Sequence, residues 1–90
     1  MAIAMMLEFP DMTEGQYAAA GQELQRDGAP AGQLFHAGGP MEDGGIRVVD
    51  VWESQEAADA FYGSTPFRDQ TASPHPPTMT QWPVVYWVSR

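Results

Sequence analysis

Two residues able to exchange protons, His36 and Asp50, lie in separate apolar runs that each predict a strand. The turn residues between these runs centre near positions 41–43, so an even hairpin register places His36 opposite Val48–Asp50. In that register the two side chains lie on the same face of the sheet. A carboxylate that holds one imidazole nitrogen fixes the tautomer and makes the other nitrogen a better base. The spacing therefore predicts a histidine–aspartate pair suited to proton abstraction.

Structural roles for the same residues are equally compatible with the sequence. A contact between His36 and Asp50 can simply stiffen the hairpin, and a bulge would turn the two side chains to opposite faces. Asp50 needs some partner, because a bare carboxylate in an apolar strand is costly to bury. Arg47 or a backbone amide is an alternative to His36 for that purpose. A catalytic role and a structural role for the pair both stay open at this level.

Three aromatic residues and one arginine are candidate contacts for a small ligand. Trp52, Tyr62 and Tyr86 combine a flat apolar surface with one polar atom, which suits an aromatic molecule. Arg68 can pair with a carboxylate or phenolate of that ligand. Packing in the core or in a subunit interface is the simpler expectation for the aromatic residues, and a surface salt bridge is the simpler one for Arg68. His75, between two prolines, is expected in a solvated loop.

The composition excludes several classes of protein. Twelve acidic residues against four arginines give a formal charge of −8, and such a field repels nucleic acids and anionic membrane surfaces. There is no cysteine and no lysine, so disulfides, zinc–thiolate sites and Schiff-base catalysis are excluded. We expect no metal and no cofactor. No leader segment and no run of ~20 apolar residues is present, so we expect a cytoplasmic protein.

The elements that must position these residues follow from apolar periodicity and turn residues. Thr13 with Gln16 three residues later forms a capping box, which opens a helix that continues to Leu24. Ser54 is a good cap for a second helix, and residues 65–71 can add a turn or two. The second helix covers residues 55–62, and strands are predicted over 2–9, 33–37, 46–53 and 82–88.

The order of these elements predicts an α+β fold of βαββαβ type. With right-handed crossovers it gives an antiparallel sheet in the order 4-1-3-2 with both helices on one face. Pro83 lacks an N–H, so the last strand is expected at an edge. Residues 1–90 are expected to form one domain, whose core is thin for its size. Because several strands also carry apolar residues on the other face, a second copy is expected to cover it.

Three short stretches resemble a known group of proteins: Leu34–His36, Val48–Ser54 and Thr65–Phe67. Over residues 1 to about 70 the chain resembles the dimeric α+β barrel superfamily of ferredoxin-like proteins, and within it the antibiotic-biosynthesis-monooxygenase-like proteins. The resemblance implies a homodimer with facing sheets and a pocket between sheet and helices. It also implies a small cofactor-independent enzyme for an aromatic or polyketide-like molecule, acting by oxygenation or by cyclisation or isomerisation. A non-catalytic protein that binds a small ligand or dimerises is the alternative.

Overall fold

The computed structural model describes residues 1–87, and the predicted architecture is present in it. The elements are β1 (Ile3–Phe9), α1 (Glu14–Leu24), β2 (Gln33–Pro40), β3 (Ile46–Trp52), α2 (Gln55–Tyr62), α3 (Thr65–Gln70) and β4 (Thr78–Pro83). The strands form one antiparallel sheet in the order β2-β3-β1-β4, with the helices on one side. This confirms the predicted ferredoxin-like α+β fold.

Polar side chains determine where the helices begin. The capping box predicted for α1 is present, because the Thr13 hydroxyl accepts from the Gln16 amide while the Gln16 side chain accepts from the Thr13 amide. Ser54 caps α2 and Ser64 caps α3 in the same way, each by accepting a hydrogen bond from a backbone amide. Within residues 1–87 no helix has both the length and the apolar character needed to cross a membrane.

The β2–β3 hairpin keeps His36 and Asp50 in register. The two strands pair around a loop over residues 41–45, which closes where the Met41 amide donates to the Gly45 carbonyl. One irregularity interrupts the ladder, but it lies between Gln33 and Phe35, before His36. His36 is therefore directly opposite Asp50. Both side chains point toward the helices.

The prediction for the last strand was wrong in its bounds. The strand lies at Thr78–Pro83 rather than at 82–88, and it pairs with β1 along the sheet edge. The prediction followed the most apolar stretch, whereas the pairing segment alternates threonine with other residues, and β-branched threonine suits a strand. Pro83 has no N–H and ends the strand, at the edge position that was expected for it. Val88 lies outside the described residues.

Apolar side chains occupy both faces of the sheet. Alternate strand residues turn away from the helices, and on that side Phe35 and Trp82 remain 46% and 43% exposed. We call this surface the open face. The core, between the sheet and the helices, is built from Met5, Leu7, Phe9, Ile46, Val48, Trp52, Ala58 and Phe67.

Candidate active site

The histidine–aspartate pair that the sequence predicts is present in the hairpin. Nδ1 of His36 lies 2.5 Å from Oδ1 of Asp50. Asp50 is only 3% exposed, and the His36 side chain is 27% exposed. Because a carboxylate only accepts hydrogen bonds, Nδ1 carries a proton in this contact. In the neutral imidazole, Nε2 is then the basic nitrogen.

Side chains from β2, β3 and α2 hold the carboxylate in place. The Tyr62 hydroxyl donates to Oδ2 of Asp50 at 2.6 Å and accepts from Nε1 of Trp52 at 2.9 Å. Nε2 of Gln33 approaches Oδ1 of Asp50 at 3.5 Å. Burial, and then the Asp50 carboxylate, raise the pKa of Tyr62 far above its usual value. Tyr62 therefore stays a neutral donor, and Asp50 has the partners that a buried carboxylate needs.

Tyr17 of α1 completes the network, although it was not among the site residues predicted from the sequence. Its hydroxyl lies 2.6 Å from Nε2 of His36. Burial, and then the charge of Asp50, raise the pKa of Tyr17. Gly38 makes the contact possible, since a methyl group there would lie 2.6 Å from Cζ of Tyr17. One signal in the sequence could have indicated this contact of Tyr17 with His36. It is Gly38 itself, a glycine two residues after His36 on the same face of β2.

A small cavity lies between the sheet and α1, bordered by His36, Asp50 and Tyr17. Its volume is about 50 Å³, roughly a third of the ~150 Å³ that holds one benzene. A second cavity of about 230 Å³ lies next to it and shares a wall with it. A ligand of ring size therefore fits the second cavity and not the first. The shared wall consists of Phe9, Met12 and Thr71.

The four residues predicted to bind substrate lie away from the cavity beside His36. Trp52 is fully buried, and Tyr62 lies behind the carboxylate that it supports. Arg68 is exposed on α3, and Tyr86, beyond β4, is 83% exposed. These four residues were predicted from residue type alone. In the structure α2 packs on β3, and there Trp52 and Tyr62 support the Asp50 carboxylate. Their binding roles stay predictions.

The other charged candidates form separate pairs. Arg47, an alternative partner for Asp50, instead donates to Glu8 across the β1–β3 ladder at 2.8 Å. Nδ1 of His75 lies 2.5 Å from Oδ2 of Asp11 on the surface. The two histidines thus bind different aspartates. Within residues 1–87 no group of three or more His, Cys, Asp or Glu side chains is placed to hold a metal ion.

We expect the Asp11 carboxyl to titrate at lower pH than an ordinary aspartate. Hydrogen bonds from His75 and Ser73 hold the pKa of Asp11 below its usual range. The stability linked to this lowered pKa is present above the unfolded value of ~3.9 and is lost as the pH falls through the folded value. In His75→Gln, the NMR titration midpoint of Asp11 should rise, while His36→Gln should leave it unchanged. Equal midpoints in all three proteins would contradict this assignment.

The comparisons with known proteins identify the fold. No family model and no curated protein matches the sequence. Rv0793 from Mycobacterium tuberculosis superposes with a TM-score of 0.75 at 18% identity, over 99% of this chain and 100% of that one. SnoaB from Streptomyces nogalater, a cofactor-independent oxygenase, gives 0.69 at 11% identity over 99% and 98%. A dimeric ferredoxin-like protein from Thermobifida fusca gives 0.67 at 15% identity over 93% and 92%.

Proposed function

We propose that this ferredoxin-like chain is a small cofactor-independent enzyme that removes a proton from an aromatic or polyketide-like molecule. His36 is the base and Asp50 is its supporting carboxylate. The observation that carries this proposal is the 2.5 Å contact between their side chains, beside an apolar cavity and within a fully bonded network. The likeness in fold to SnoaB, a cofactor-independent oxygenase, supports the choice of reaction class.

The His36–Asp50 pair can accept a proton without acquiring a net positive charge. When Nε2 of His36 becomes protonated, the imidazolium lies against the Asp50 carboxylate, and opposite charges at this distance stabilise each other. Tyr62 keeps the carboxylate from turning away. The substrate retains the electron pair as a phenolate or enolate. That anion reacts with O₂ in an oxygenation, with its own carbonyl carbon in a cyclisation, or with a proton at another carbon in an isomerisation.

The larger neighbouring cavity is the proposed place for the ring system of the substrate. It has room for one or two rings and is separated from the His36 cavity by a wall that includes Met12. Methionine side chains adapt readily, because they are unbranched and rotate about three bonds. We propose that Met12 turns aside when the substrate binds, so that the reacting carbon or hydroxyl enters the cavity beside His36.

Thermal unfolding with naphthoresorcinol, a dihydroxynaphthalene that models a polyketide ring, tests whether the site binds such molecules. A ligand that binds only the folded chain adds ~2.7 kcal/mol at a hundredfold excess over its Kd. We expect the Tm of the wild type and of the matched control Glu42→Gln, whose residue 42 is exposed and lines neither cavity, to rise, and the rise to be smaller in His36→Gln. No rise in the wild type, or equal rises in all three proteins, would count against this site.

A non-catalytic ligand-binding or dimerisation protein is the second candidate, and the small size of the first cavity favours it. The chain's own side chains fill most of the space beside His36, including the ring of Tyr17. In that case the network around Asp50 only stabilises the hairpin. His36→Gln would then change the free energy of unfolding and no ligand-dependent property.

We also propose that two chains pair through the open face to form a homodimer. Phe35 and Trp82 leave apolar surface on this side, and the Thermobifida fusca protein of the same fold is described as dimeric. Val49 lies at its centre, between Ala37 and Met6 on the neighbouring strands.

Val49→Lys should convert the dimer into a monomer, because each chain would bury an unpaired charge in the interface. Light scattering after size exclusion measures the mass. Ala60→Lys, on the exposed side of α2, is the matched control and should stay dimeric. A monomeric wild type, or a dimeric Val49→Lys, would refute the interface.

A further inference from the structure

The geometry points to Tyr17 as the residue through which the substrate's proton reaches His36. This inference rests on the proposed function and identifies which atom of the site touches the substrate. We infer that the phenol oxygen of Tyr17 takes the proton and that Nε2 of His36 takes the proton that Tyr17 gives up. Gly38 is the positioning residue that leaves room for the Tyr17 ring.

Both imidazole nitrogens of His36 are already engaged. Nδ1 donates to Asp50 at 2.5 Å, and Nε2 accepts from the Tyr17 hydroxyl at 2.6 Å. Each ring nitrogen forms one hydrogen bond in the plane of the ring. The imidazole therefore has no free position for a substrate while Tyr17 is in place. Tyr17 also borders the cavity, and its hydroxyl oxygen keeps acceptor capacity after it has donated to Nε2.

The transfer balances as two coupled proton movements. A C–H or O–H bond of the substrate breaks, and its proton binds to the oxygen of Tyr17. The O–H bond that joined Tyr17 to its original proton breaks, and that proton binds to Nε2 of His36. Tyr17 ends neutral, His36 ends as an imidazolium beside the Asp50 carboxylate, and the electron pair stays on the substrate. Nothing is oxidised or reduced in this step.

Tyr17 cannot perform this step alone. Burial and the nearby Asp50 carboxylate raise the pKa of Tyr17, so its phenolate is disfavoured before the substrate arrives. His36 removes that obstacle by accepting the proton in the same step. A base of this kind matches substrates whose proton is itself moderately acidic. The inferred class is therefore hydroxyarenes and 1,3-dicarbonyl compounds.

Gly38 provides a steric test that leaves every hydrogen-bonding group of the site intact. A methyl group at Gly38 would lie 2.6 Å from Cζ of Tyr17, so the ring must move. The backbone of Gly38 is not in the left-handed region, so alanine fits the strand itself. The next residue, Gly39, has no atom within 4 Å of an added methyl group. Gly39→Ala is therefore the matched control for Gly38→Ala.

The experiment combines two measurements on the full chain. Imidazole ¹⁵N NMR reports the hydrogen bond at Nε2 of His36, and the chain has only two histidines to assign. Proton NMR in D₂O reports the rate at which the ring carbons of naphthoresorcinol exchange hydrogen for deuterium. Both are measured for the wild type, Tyr17→Phe, Gly38→Ala, Gly39→Ala and His36→Gln.

We expect Tyr17→Phe and Gly38→Ala to free Nε2 of His36, to keep the proton on Nδ1 and to slow the exchange by about 100-fold or more. Gly39→Ala should match the wild type in both measurements. A Tyr17→Phe protein that exchanges as fast as the wild type would overturn this inference, because His36 would then act directly and the proposed function would stand. Equal rates in the wild type and His36→Gln would instead refute the proposed function, and the inference with it.

Discussion

His36→Gln should slow the exchange of the ring-carbon hydrogens of naphthoresorcinol by about 100- to 10,000-fold, the usual contribution of a positioned acid or base. Glutamine is close to histidine in size and can still donate a hydrogen bond to Asp50, but its amide is not a base. The network that supports Asp50 should therefore survive while proton transfer is lost. Circular dichroism and unfolding of the variant check that the fold is retained.

Glu42→Gln is the matched control for this prediction. Glu42 is exposed in the loop between β2 and β3 and lines neither cavity. The Glu42→Gln protein should exchange at the wild-type rate. An effect of equal size in both variants would indicate a general loss of binding or stability, and unchanged exchange in His36→Gln would remove His36 from the reaction.

Asp50→Ala should lower the free energy of unfolding by about 3 kcal/mol, the typical cost when one partner is removed from a buried polar network. The change leaves the Tyr62 hydroxyl and Nδ1 of His36 without their acceptor, in a place that water reaches poorly. Urea unfolding followed by tryptophan fluorescence measures the difference, and Trp52 of this network is one of the three tryptophans that report it.

Asp69→Ala is the surface counterpart of that change. Asp69 is exposed on α3, and such substitutions usually alter stability by less than ~0.5 kcal/mol. If Asp50→Ala and Asp69→Ala unfold at the same urea concentration, then the network around Asp50 does not contribute to stability. The proposal that the Asp50 carboxylate is held in place to support His36 would then have no energetic support.

The pairing of His36 with Asp50 is predictable from sequence because it depends on local rules. The loop residues set the centre of the hairpin, and strict alternation in strands then determines which side chains share a face. The caps at Thr13 and Ser54 are local in the same sense, because each involves residues within one turn of helix. These features need no knowledge of distant parts of the chain.

The contact of Tyr17 with His36 depends on how α1 lies across β2, which no short segment determines. In the sequence, Tyr17 looks like any apolar residue at helical spacing, and Gly38 looks like a turn residue. The support of Asp50 by Tyr62 is hidden for the same reason, since it requires α2 to pack on β3. The start of β4 was misplaced because an edge strand needs few apolar residues, so its pattern is weak.

The most direct test of the account is ¹⁵N NMR of His36 in the wild type, with and without saturating naphthoresorcinol. In the free protein we expect Nδ1 of His36 to carry a proton and Nε2 to accept the hydrogen bond of the Tyr17 hydroxyl. In the complex we expect Nε2 to become protonated as well, as the ligand gives up a proton. A His36 whose Nε2 carries no proton in the saturated complex would contradict the claim that His36 and Asp50 form the base of an enzyme.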